Sequence, residues 1–105
     1  MRDTAPVHRN TETGTPRSVV RHDDRGRYEL DVDGDVVAFA DFSQHDDVIT
    51  IPYIETDVSH RGNGYSSVLM DGVIDDLRAR NALVRATCPV ARAYIVANAP
   101  ELLAR

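Results

Sequence analysis

Lysine is missing from the 105 residues, so all twelve basic side chains are arginines, and tryptophan is missing too. The net charge is -5. A nucleic-acid partner is disfavoured, because such binders carry a basic patch and, for single strands, an aromatic stacking platform, whereas the few tyrosines and phenylalanines here are scattered. An acidic surface suits encounter with a small cationic or amine partner better. The single cysteine, Cys88, excludes an internal disulfide and leaves two readings, a buried small hydrophobe or a reactive thiol. No long apolar run is present and the start lacks the basic-then-apolar pattern of a signal peptide, so a soluble, cytoplasmic protein without membrane partners is expected. His8, His22, His45 and His60 are dispersed without ligand spacing, and no metal is expected.

The length fits one domain with a modest core. Residues 1–17 are polar, Thr- and Pro-rich and aperiodic, so they are expected to form a disordered tail, leaving 18–105 as the folded unit. Short strands are expected over 18–22 and 27–33, the latter alternating with Tyr28, Leu30 and Val32 inward, with an Asp-Gly turn at 33–34. Residues 36–42 are apolar on both faces and read as a central strand covered on each side by helices. A fourth strand over 48–55 is interrupted by Pro52, which cannot donate to a ladder and marks a bulge or a departure from a neighbour. Val68, Leu69, Met70, Val73, Ile74 and Leu77 recur at helical spacing, predicting a helix over about 64–80 with Asn81 as its stop. A fifth strand over 83–87 ends at Cys88-Pro89, and Pro89 opens a short helix that Pro100 terminates. The pattern predicts an α+β fold with a single, mostly antiparallel sheet of about five strands, a crossover helix and a short C-terminal helix.

Between the apolar strand and the amphipathic helix stands Arg61-Gly62-Asn63-Gly64-Tyr65-Ser66. A helix start exposes unpaired amide donors and the positive end of its dipole, and glycines keep that approach clear, so the stretch is suited to an anion such as phosphate. It lacks the Lys-Ser/Thr pair of a nucleoside-triphosphate loop and the third glycine of a dinucleotide site.

This Arg-x-x-Gly-x-small stretch resembles the loop with which acetyltransferases of the GNAT superfamily hold the pyrophosphate of acetyl-coenzyme A. Cys88-Pro89-Val90-Ala91-Arg92-Ala93-Tyr94-Ile95 resembles, in addition, the strand end and short helix of the compact, YjdJ-type GNAT-like subfamily. The resemblance covers about residues 18–101. It implies acetyl-coenzyme A as cofactor, with Arg61, Gly62, Asn63, Gly64, Tyr65 and Ser66 at the pyrophosphate and the peptide groups of Thr56, Asp57 and Val58 facing the pantetheine where the fourth strand splays from the fifth. It also implies acetyl transfer to a small-molecule or peptide amine. Members carry a histidine two positions before the glutamate that ends the fourth strand, and this chain has Tyr53 before Glu55.

Three residues are candidates for the chemistry. Glu55 is a base, direct or through water, if burial raises its pKa, and otherwise a solvated carboxylate at a strand end. Tyr94 stands where superfamily members place the tyrosine that protonates the coenzyme A sulfur, or simply packs on the core. Cys88, before a Pro-initiated helix, is a covalent nucleophile or an inert core residue. Two other functions stay open: a non-catalytic coenzyme A-binding regulatory module, and an interaction domain whose glycine loop is only a turn.

Overall fold

The computed structural model describes residues 4–10 and 17–105. Among the described residues, six strands form one sheet in sequential order: β1 (Thr4–Asn10), β2 (Arg17–His22), β3 (Arg27–Val32), β4 (Asp35–His45), β5 (Val48–Thr56) and β6 (Leu83–Ala86). The first four pairings are antiparallel, and β5 pairs with β6 in parallel. A parallel neighbour requires a crossover, which is supplied by helix α1 (Tyr65–Arg80). Helix α2 (Pro89–Asn98) follows β6, with Pro89 at its first turn as expected. The α+β architecture is the one anticipated. No helix among the described residues is long and apolar enough to cross a membrane.

Two expectations are corrected. Residues 4–10, placed in a disordered tail, form β1 along the edge of β2; residues 1–3 and 11–16 lie outside the described residues. Edge pairing draws on main-chain donors and acceptors, so it does not need the apolar side chains whose scarcity suggested disorder. The second correction concerns β4, whose apolar faces are not both covered by helices. Tyr28, Leu30, Ala38, Ala40, Ile49, Ile51 and Val84 share one core with Leu69, Met70, Val73 and Leu77 of α1 and with Ala91 and Ile95 of α2, so both helices lie on the same face. On the opposite face Phe39 is shielded instead by neighbouring side chains: the Arg27 guanidinium stacks 3.9 Å from its ring centroid and Tyr53 lies 6.0 Å away.

Close helix–sheet contact depends on Gly72, since a Cβ there would lie 2.5–2.9 Å from the Val19 side chain. The start of α1 lies beside the end of β5, since Tyr65 and Ser66 line one cavity with Tyr53, Ile54, Glu55 and Thr56.

Candidate active site

Pairing of β5 with β6 ends at Ile51 opposite Ala86, where the amides of Thr87 and Cys88 both donate to the Ile51 carbonyl, at 3.1 and 3.3 Å. Pro52 follows and has no N–H to offer. On the other side of β5 the register shifts between Asp41 and Ser43, so that Ile51 and Pro52 together face the single residue Phe42, which is a bulge. Beyond it, residues 53–56 stay paired to β4 alone, and the sheet opens. The opening is a cleft of 340 Å³ with Tyr53, Ile54, Glu55 and Thr56 along one side. Arg61, Gly62, Gly64, Tyr65 and Ser66 form its other side, and Val90 of α2 closes it.

The connecting loop is held by its own polar groups. Asp57 accepts from the Ser59 amide at 3.5 Å and the Ser59 hydroxyl at 3.1 Å, and its carboxylate lies 3.2 Å from His60 Nδ1. Those hydrogen bonds, Ser59 foremost, hold the Asp57 carboxyl below the usual carboxylate range. Arg61 Nε donates to the Thr56 carbonyl at 3.3 Å, and the Asn63 side chain turns back to the His60 carbonyl at 3.0 Å. Gly62 and Gly64 have φ of 88° and 73°, and beyond their own chain neighbours no heavy atom lies within 4 Å of where a Cβ would stand on either. Gly64 precedes α1 as its N-cap, with no side-chain cap and no acidic residue in the first turn, so the leading amides, on residues that line the cleft, have no intrahelical acceptor. An anionic group meets bare donors, the positive helix end and Arg61, which fits a pyrophosphate.

The sequence-derived candidates separate in space. Glu55 lines the cleft half-buried, and the Tyr53 hydroxyl donates to its carboxylate. That hydrogen bond, with the carboxylate's charge, raises the Tyr53 pKa above the ordinary tyrosine value, so the phenol keeps its proton. Tyr94 does not join them. It lines a neighbouring groove of 550 Å³ between α1 and α2, which shares Ser66 and Val90 with the first cleft. Its hydroxyl donates to Asp71, and burial followed by that carboxylate pushes its pKa up to about 12. Cys88 is only 7% exposed, belongs to the core and borders neither cavity.

The pantetheine-facing trio is also divided. Thr56 lines the cleft, but the Asp57 amide is taken by the Val37 carbonyl at 2.8 Å, and Val58, 72% exposed, lies off the cleft wall. The Tyr53–Glu55 contact was legible and missed, because residues two apart on a strand share a face. The part of Val90 was not, since it depends on where α2 docks.

The model of a family described as GCN5-related N-acetyl-transferase matches residues 27–103. The chain belongs to that family. The GNAT membership inferred from the glycine loop and the Cys-Pro segment is therefore shown. The fold is also similar to the crystal structure of a ribosomal-protein-alanine N-acetyltransferase from Brucella melitensis biovar Abortus 2308, with a TM-score of 0.50 and 21% identity, covering 79% of this chain and 64% of that one. This member of the family thus spans just under two thirds of that enzyme's length, and the likeness speaks for fold. No curated protein sequence matches the chain. Among the described residues, no group of three or more His, Cys, Asp or Glu is placed to hold a metal ion.

Proposed function

We propose that this chain is an acetyl-coenzyme A-dependent N-acetyltransferase in which Glu55 is the base and transfer to the amine is direct. The observation that carries the reading is the junction itself: the strand opening after Ile51, the uncapped glycine-lined start of α1 and the Glu55 carboxylate border one cleft. Gly62, Gly64, the leading amides of α1 and Arg61 would hold the pyrophosphate, and Thr56 with Val90 would flank the pantetheine arm. When bound, acetyl-coenzyme A supplies an activated acetyl thioester: the nitrogen–carbon bond forms, the carbon–sulfur bond breaks, and the products are the amide and the free thiol.

An ammonium ion must lose one proton to become a nucleophile, and Glu55 accepts it. The second proton leaves the nitrogen as the amide forms and ends on the sulfur, while Glu55 returns the first to water. Tyr53 steadies the carboxylate through its hydroxyl and remains protonated. Cys88 is given no covalent part, because a thiol packed in the core cannot meet the acyl carbon without displacing its neighbours. We place the protein in the cytoplasm, where its lone thiol stays reduced.

General-base catalysis contributes about 100-fold or more. Glu55→Gln should accordingly lower kcat by about that factor while coenzyme A affinity, measured by calorimetry, holds, and Cys88→Ala should keep most activity. Acetylation of Cys88 seen by mass spectrometry, with activity lost in Cys88→Ala, would reverse the assignment.

A further inference from the structure

The face of the sheet away from α1 and α2 carries a further cavity that the cofactor reading does not use. It measures 240 Å³ and is lined by Val36, Val37, Ala38, Phe39, Glu55 and Asp57. Glu55 borders this cavity and the cofactor cleft alike. Two of its six lining residues are acidic and the other four apolar, and no basic residue contributes to the lining. Asp57 is kept ionised by Ser59 and His60. Beside it, across the β3–β4 pairing, Asp31 lies opposite Val36 and holds a buried carboxylate oxygen with no hydrogen-bond partner among the described residues. The guanidinium stacked on Phe39 belongs to Arg27, whose charge is already paired with Asp41 at 3.0 Å.

We propose that this cavity is the acceptor site and that it selects a primary amine carried on a short apolar stem with no anionic group beside the nitrogen. The inference rests on the acetyltransferase reading and adds the substrate class to it. Carboxylates around an apolar pocket favour an ammonium head and repel a carboxylate or phosphate on the same molecule, because a like charge brought into a partly desolvated site has no partner. Phe39 offers a ring edge or face to the stem, and Val36, 47% exposed, sits at the mouth. The volume suffices for one ring, since an apolar cavity of about 150 Å³ accommodates benzene. An amine seated there would present its nitrogen to Glu55 from the side opposite the helices, leaving the helix side to the cofactor.

The test compares 2-phenylethylamine with phenylalanine, which differ by one carboxylate. The full chain, labelled with nitrogen-15, is first titrated with coenzyme A and then with each amine, followed by NMR. Coenzyme A is expected to shift the amides of Gly64, Tyr65 and Ser66. The amine is expected to shift those of Val36, Phe39, Glu55 and Asp57 and to bind at least 10-fold more tightly than phenylalanine. Val36→Arg, which puts a cation at the mouth, should weaken 2-phenylethylamine at least 10-fold, narrow or invert its advantage over phenylalanine, and leave coenzyme A affinity unchanged. Equal or tighter binding of phenylalanine to the unaltered protein, or amine shifts that miss these four residues, overturns the proposal while the cofactor reading stands. Absence of coenzyme A shifts overturns the cofactor reading, whatever the amine does.

Discussion

The two ends of α1 are built in opposite ways. At its C-terminal end Asn81 adopts a left-handed conformation and its amide returns to the carbonyls of Arg78 and Leu77, with Arg78 and Arg80 complementing the dipole. One turn earlier Asp76, only 5% exposed, receives the Tyr28 hydroxyl at 2.5 Å and Arg80 Nε at 2.8 Å, with Arg21 Nη1 at 3.4 Å. Arg21, equally buried, goes on to Asp23 at 2.5 Å and Gln44 at 2.6 Å and lies 4.4 Å over the Phe42 ring. Arg78 is paired as well, with Glu101 at 2.8 Å. The N-terminal end has glycines, no side-chain cap and open space above the backbone. A helix end that the protein completes by itself anchors the fold, whereas one left incomplete beside a cleft is positioned for a ligand to complete.

The largest expected effect lies at the closed end. Asp76→Ala would leave the buried Tyr28 hydroxyl without its acceptor and Arg21 with Asp23 as its remaining carboxylate, and leaving a buried polar group unsatisfied costs about 1–3 kcal/mol or more next to a charge. Thermal unfolding should show that loss, with coenzyme A affinity nearly unchanged in the fraction that stays folded. A stable Asp76→Ala protein with impaired cofactor binding would invert the comparison.

At the open end the effects exchange places. Gly64→Val forces a branched residue to a φ of 73°, for which a cost of about 1–2 kcal/mol is expected, and puts methyl groups where phosphate oxygens would approach. Coenzyme A affinity should fall at least 10-fold by calorimetry while the protein remains folded. Unchanged affinity in a folded variant would move the anion site elsewhere.

The smallest effect sharpens the role of Tyr94, between the two ends. Its pKa of about 12 is above the value of about 10 for an unfolded tyrosine, so the folded state holds the proton more tightly. The stability this contributes is whole below the unfolded value and is lost as pH rises through the folded one. Burial and Asp76 shift Tyr28 in the same direction. Unfolding followed from pH 9 to 12 should show a decline that is shallower in Tyr94→Phe than in the parent, with Tyr28 supplying what remains. An identical decline in the two proteins would place the Tyr94 hydroxyl away from Asp71.

The order of strands and helices was legible because each element announces itself locally. Alternation marks β3, helical spacing marks α1, Asn81 and Pro89 mark a stop and a start, and Pro52 marks the bulge from which β5 parts from β6. Local signals could not reveal β1, whose pairing uses main-chain groups that every residue possesses, nor the face on which α2 would settle.

The glycine loop and the strand opening were thus determined by the sequence itself, since glycine takes a positive φ without the cost a Cβ imposes and proline has no N–H to give a ladder. What only the tertiary structure decided is which side chains share a cavity. Docking of α1 and α2 on one face drew Tyr94 to Asp71 and Cys88 into the core, while the bare opposite face left Glu55 standing between two clefts. Those outcomes depend on distances between residues far apart in the chain, which packing sets and local propensity does not encode.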